Sequence, residues 1–207
     1  MEPSENMTLP IKPRSINPFR SVSDYLALGY LYLLLLGIVS DSIFYGLLGI
    51  NIISYSSVLD VLLSPIAKIT SNLIIPVLVI ILPLFSYFYL KILRRIQEKR
   101  SHKSNKPNKP NKLLTMPLQT LWVFFTALII FSAFIGYGFG GGSKIKERMQ
   151  ASDLRLLHRI IFVNQQGIDV ELVGNNSGFV FYIEKGNSHV TASPILGNIQ
   201  KIEQIKK

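Results

Sequence analysis

The chain has no cysteine, which removes disulfides, thiolate catalysis and Cys-ligated metals from its chemistry. It is also short of charge: Asp, Glu, Lys and Arg make up 16% of its residues, whereas soluble domains run near a quarter. Histidine is scarce. His102, His158 and His189 sit in unrelated contexts, and none has a partner at metal-ligand spacing. No segment carries the Gly-Lys-Ser/Thr ending of a phosphate loop, and no Ser, His and Asp stand in a nucleophile motif. These gaps point away from an enzyme, and they give no reason to expect a cofactor or a metal.

Apolar residues are abundant. They form 48% of the 207 residues, and mean hydropathy is +0.34. The excess is concentrated in three windows, about 25–50, 71–93 and 117–139. Each is long enough for a helix to cross a hydrocarbon core, which takes about 20 residues. The fold expected is an α-helical multi-pass membrane protein, with three spanning helices and an interfacial or re-entrant helix. A small C-terminal antiparallel β domain completes it, an α+β arrangement. Residues 1–21, with Pro3, Pro10, Pro13 and Pro18, read as a disordered tail. Residues 22–143 read as the transmembrane region and 144–207 as the soluble domain. The run from Tyr25 to Val39 lacks a small-x-small cleavage site after it, so a retained signal anchor is expected.

The net charge of +10 is a matter of topology rather than of nucleic-acid binding. Nine of the 22 Lys and Arg residues lie between Lys91 and Lys112, most of them in a basic loop, 94–113. Only Lys68 lies between the first and second windows. The positive-inside bias therefore places the tail and the basic loop in the cytoplasm and the C-terminal domain outside a bacterial inner membrane. Five cations between Lys144 and Arg159 pull the other way. The basic loop would meet anionic lipid headgroups, and the remaining partners expected are a second copy of the chain and a protein encoded nearby.

Three ionisable residues fall at or near membrane depth: Asp41, Asp60 and Lys68. A carboxylate inside a span costs about 2.5–3.5 kcal/mol on insertion scales. Either the first helix continues past Asp41, or it ends near Ser40 and residues 43–50 lie along the surface. Val58, Leu59, Leu62 and Leu63 recur at helical spacing, so an interfacial or re-entrant helix is expected at about 56–68. Ser57 would cap it and Pro65 would kink or end it.

Ile135-Gly-Tyr-Gly138 echoes a potassium-channel filter, but Phe134 holds the place of the required Thr and no spanning helix follows. The Gly136–Gly142 run reads instead as a helix end and a flexible link to the outer domain. Beyond it, a helix is expected over 145–157 and then short strands. Ile168, Val170 and Leu172 alternate with Asp169 and Glu171, which places the acidic residues on the solvent face. Phe179, Phe181 and Ile183 form the next inward face, and Ile199–Ile205 supplies a last strand. The result is an antiparallel meander or half-barrel whose core is marginal on its own.

Two stretches resemble known proteins: Gly49–Pro65, and Glu171-Leu-Val-Gly with Phe179-Val-Phe, Pro194-Ile and Asn198-Ile. They are similar to small membrane proteins of bacterial anti-phage systems, such as sensors of the Kiwa kind and retron-linked effectors. The resemblance implies a sensor or effector that oligomerises or perturbs the membrane. It carries no catalytic motif, so no residue role is transferred. The alternative is a small channel or transport accessory subunit with a polar path through Asp41 or Asp60.

Overall fold

The structure, a computed structural model, describes residues 21–71, 74–103 and 117–205. Residues 1–20 of the tail and 104–113 of the basic loop lie outside that set, whereas residues 94–103, expected as loop, continue a helix. Four α-helices come first: α1 (Val22–Leu47), α2 (Val58–Ser71), α3 (Ile74–Lys103) and α4 (Leu118–Gln150). Five strands follow: β1 (His158–Phe162), β2 (Gly167–Asn175), β3 (Phe179–Glu184), β4 (Thr191–Pro194) and β5 (Ile199–Gln204). Among the described residues, three helices are long and apolar enough to cross a membrane: α1, the Ile75–Ile96 part of α3, and α4. Their flanks present large apolar side chains outward, Phe85 at 72% and Ile80 at 70% exposure, which suits a lipid solvent rather than water.

The contacts between helices fix their directions. Tyr32 donates its hydroxyl to the Ala127 carbonyl at 2.6 Å, while Ser40 lies at Gly138 and Phe44 at Gly141 and Gly142. Both series rise together, so α1 and α4 run parallel. By contrast α3 is antiparallel to α4. Its Ile75 end shares a groove with Phe134 and Tyr137, whereas Trp122 Nε1 donates to the Pro83 carbonyl at 3.0 Å. That carbonyl also accepts the Ser86 hydroxyl at 2.8 Å. The sheet therefore sits at the end of the bundle where α1 and α4 finish. The basic stretch of α3 from Lys91 onward lies at the opposite end.

One open choice is decided here and two expectations change. First, α1 takes the longer of its two courses and continues unbroken to Leu47, so Asp41 lies within a helix. At 1.5 Å per residue it sits about 9 Å before the helix end. Second, Pro65 neither ends nor breaks α2, which reaches Ser71. Proline leaves the carbonyl four residues earlier without its helical donor, and that carbonyl belongs to Val61. It lies directly over Gly37 of α1, where any Cβ would collide with it. A Gly there lets the two backbones cross in contact, close enough for a weak Cα–H···O interaction.

Third, the Gly136–Gly142 run is neither a helix end nor a link. It is part of one helix that continues to Gln150, so no separate helix starts at 145 and none extends to 157. The helix that carries the third apolar window therefore runs well past 139. Gly138, Gly141 and Gly142 are a packing surface against α1. A Cβ on Gly138 would meet the Ser40 carbonyl oxygen at 2.5 Å, and one on Gly142 the Phe44 carbonyl oxygen at 2.8 Å. Small residues four apart let apolar helices approach to backbone contact, the main source of helix association in lipid.

The sheet has the order β4-β3-β2-β1-β5 with antiparallel pairing throughout. One face holds Ile160, Val170, Val180 and Tyr182, covered by Ile195, Ile199 and neighbours. The other holds Phe181, which packs on Tyr45 and Ile52 from the end of α1 and the following 3-10 turn, Ile52–Ser54. Both faces of β3 are thus buried, Val180, Phe181, Tyr182 and Ile183 alike. The domain completes its core by sitting on the helices, which answers the marginal size of the sheet alone.

The seam between α1 and α4 should be intolerant of bulk at one glycine and indifferent at its neighbour. Gly142→Leu forces the side chain against Phe44 and Leu47 and should cost about 1–3 kcal/mol, read as a lowered melting temperature of the detergent-solubilised chain. At Gly140 an added Cβ meets nothing within 4 Å, so Gly140→Ala should not lower it.

Candidate functional site: a polar cavity under the sheet

A cavity of about 530 Å³ lies where α1, α2, α4 and β2 meet. Asp41, Asp60 and Lys68, the three ionisable residues singled out by sequence, all line it. Local structure explains how they converge. Ser57 opens α2 with a reciprocal cap: its hydroxyl accepts the Asp60 N–H at 3.1 Å, and the Asp60 carboxylate accepts the Ser57 N–H at 2.9 Å. This cap fixes where α2 begins. Asp60 and Lys68, eight residues apart, then fall on one side of the helix with Ser64 and Ser71.

Lys68 reaches across to α1. Its Nζ donates to Asp41 Oδ1 at 2.5 Å and to Ser40 Oγ at 2.7 Å, and it stands 5.8 Å from the centre of the Tyr137 ring on α4. Both charged side chains are only 15% exposed. A carboxylate and an ammonium that each would be costly to bury alone are held as one neutral, hydrogen-bonded unit. Tyr137 supplies a π face to the ammonium.

Asp60 has a second set of partners in the sheet. Its carboxylate accepts the Ser177 N–H at 3.1 Å and the Ser177 hydroxyl at 3.0 Å, in the turn between β2 and β3. Asn176 of the same turn donates to the Tyr55 carbonyl at 2.9 Å. Partial burial works to raise the Asp60 pKa, but the hydrogen bonds from Ser57 and Ser177 together hold it below its ordinary value. A lowered carboxyl contributes fully above its ordinary pKa and loses its contribution only as pH falls through the lowered one. The contact is therefore at full strength at neutral pH and weakens only as pH falls below the ordinary carboxylate range.

Two further anchors were not visible in the sequence. The first is Tyr45, whose ring lies 4.9 Å from that of Phe181 and whose hydroxyl occupies the space a Cβ on Gly174 would need. Gly174 sits beside a register shift in β2, where Leu172 and Gly174 oppose consecutive residues of β3. That bulge brings the strand backbone down onto the tyrosine. The second is Glu171. It does not point to solvent as the alternation suggested; it is 5% exposed. It pairs with Arg148 of α4 and accepts the Arg155 N–H at 2.9 Å. The strand alternation was sound, but this face of the sheet is covered by protein. Asp169, by contrast, is exposed and pairs with Arg159 at 2.6 Å.

Among the described residues, no group of three His, Asp or Glu side chains could hold a metal ion. His158 lies in β1 and His189 in the turn after β3, far apart in the sheet order. The arrangement offers charge pairing, hydrogen-bond donors and a half-open cavity with polar groups in its lining rather than a nucleophile with its base.

The Asp41–Lys68 pair can be tested as a unit. Lys68→Met leaves a buried carboxylate alone and should destabilise the chain by about 3 kcal/mol. The Asp41→Asn/Lys68→Met double variant should recover most of that loss, giving a favourable coupling in a double-mutant cycle of thermal stability. Additive losses would mean that the two charges do not interact.

No protein-family model matches the chain, and no curated protein or solved structure matches it.

Proposed function

We propose that the chain is a bacterial inner-membrane sensor or effector in phage defence, whose outer sheet is coupled mechanically to its membrane helices. The tail and the basic segment would face the cytoplasm. This orientation is supported by the cations of α3 from Lys91 onward, gathered at the end of the bundle away from the sheet. The defence role rests on the resemblance of Gly49–Pro65 and the Glu171–Ile199 pattern to proteins of such systems.

The observation that carries the coupling is that β2 and the β2–β3 turn are held by three helices at once. Tyr45 of α1 packs beneath Gly174, Arg148 of α4 pairs with Glu171, and Asp60 of α2 holds Ser177. A ligand or partner that moves the sheet must move these helices or break those contacts. The Asp41–Lys68 pair lies between the same helices, so its geometry would follow. Output by oligomerisation or membrane perturbation would use the apolar flanks of α3, where Ile80, Phe85 and Phe88 are exposed.

The alternative of a polar path is supported by the cavity that brings both carboxylates together; conductance that survives Asp41→Asn and Asp60→Asn alike would remove it. For the sensor reading, phage challenge of cells carrying the chain should depolarise the membrane, read with a potential-sensitive dye. Tyr45→Ala, which removes the anchor under β2, should reduce that response at equal protein level. A membrane potential that stays constant in both strains counts against the effector role.

A further inference from the structure

The polar cavity has an apolar neighbour. A groove of about 420 Å³ runs between α3 and α4, walled by Ile75, Leu78, Leu82, Ile130, Ala133 and Phe134. Tyr137 lines both spaces. From Ile75 to Leu82 the groove follows α3 for about 10 Å, starting at the sheet end and leading toward the middle of the bundle. A chamber with polar groups at the end of a span, bordering at Tyr137 an apolar slot that runs inward, has the shape of an amphiphile.

The charges narrow the headgroup. The chamber holds two carboxylates, Asp41 and Asp60, and one ammonium, Lys68, with Ser56, Ser64, Ser71 and Asn176 around them. A purely anionic headgroup would find one cation and two like charges. A purely cationic one would face Lys68. A zwitterion carrying a phosphate and an ammonium can exchange into the Asp41–Lys68 pair without leaving either charge alone, its phosphate on Lys68 and its ammonium on Asp41 and the Tyr137 ring. A primary ammonium can donate hydrogen bonds to the carboxylates and hydroxyls that line the chamber, whereas a quaternary choline has no N–H to give.

We propose that the two spaces together form a binding site for one phosphatidylethanolamine-type lipid, its headgroup in the chamber and one acyl chain in the groove. The proposal rests on the membrane-spanning reading above. Occupancy would place a lipid between α3 and α4 and against the Asp41–Lys68 pair, so the lipid state of the membrane would bear on the geometry beneath the sheet.

The test uses the full chain in phosphatidylcholine nanodiscs doped with phosphatidylethanolamine carrying a photoreactive diazirine on its acyl chain. Labelled peptides should map to residues 75–82 and 130–137. Unlabelled phosphatidylethanolamine should suppress the label at least several-fold, while phosphatidylcholine and soluble phosphoethanolamine should not. Ala133→Trp, which fills the groove, should abolish the labelling, as should the milder Leu78→Phe if the first variant does not fold. Lys68→Gln should weaken it.

Labelling spread evenly over outward positions such as Ile80 and Phe85 overturns the proposal. So does equal labelling by a phosphatidylcholine probe, or full competition by the soluble headgroup. Alkaline carbonate washing of native membranes separates the two readings. A chain that washes off defeats the spanning reading itself, whereas a chain that stays but shows no groove labelling defeats only the lipid site.

Discussion

Backbone contact between α1 and α4 is the constraint on which the other features hang, because lipid offers apolar helices no hydrophobic reward for associating with one another. What it leaves is van der Waals contact, which rises steeply as backbones approach. Gly138 and Gly142 allow that approach against Ser40 and Phe44. Once α1 and α4 lie side by side and parallel, their ends emerge together, and both can enter the underside of a single sheet. Tyr45 and Arg148 then reach β2 from neighbouring helices.

The second consequence concerns charge. A lone Asp41 within α1 would be a liability, as would a lone Lys68 on α2. The crossing of these helices at Gly37 and Val61 brings them within hydrogen-bonding distance. Pro65 takes part in that crossing by leaving the Val61 carbonyl without its helical donor, so it can face Gly37 rather than its own helix. The polar cavity is what remains between α2 and the sheet once the crossing is made. Asp60 closes its rim by joining the α2 cap to the β2–β3 turn.

Much of this architecture can be read from the sequence, because hydropathy and period report on single elements. The three long apolar windows, the amphipathic helix after Ser57 and the alternation at Ile168–Leu172 each declare themselves within a dozen or two residues. Contacts between distant elements do not. A glycine run is compatible with a hinge and with a close-packed seam, and only the partner backbone distinguishes them. Glu171 alternates as a solvent-facing residue would, yet Arg148 lies 23 positions away on a helix that the hinge reading had cut short. Asp41, Asp60 and Lys68 stood out because ionisable groups are costly at that depth. Their convergence in one cavity depends on the rotation of α2, which no local pattern encodes.

The central claim is that the sheet is fixed to the helices rather than tethered through glycines. The absence of cysteine makes this directly measurable, since two introduced thiols are the only ones to label. Spin labels at Leu31, exposed on α1, and Lys201, exposed on β5, report the distance between the membrane region and the sheet by pulsed dipolar spectroscopy in bilayers. A rigid attachment predicts one narrow distance distribution, broadened when Tyr45→Ala is added. A broad distribution in the otherwise unaltered chain would contradict it and restore the glycine run as a hinge.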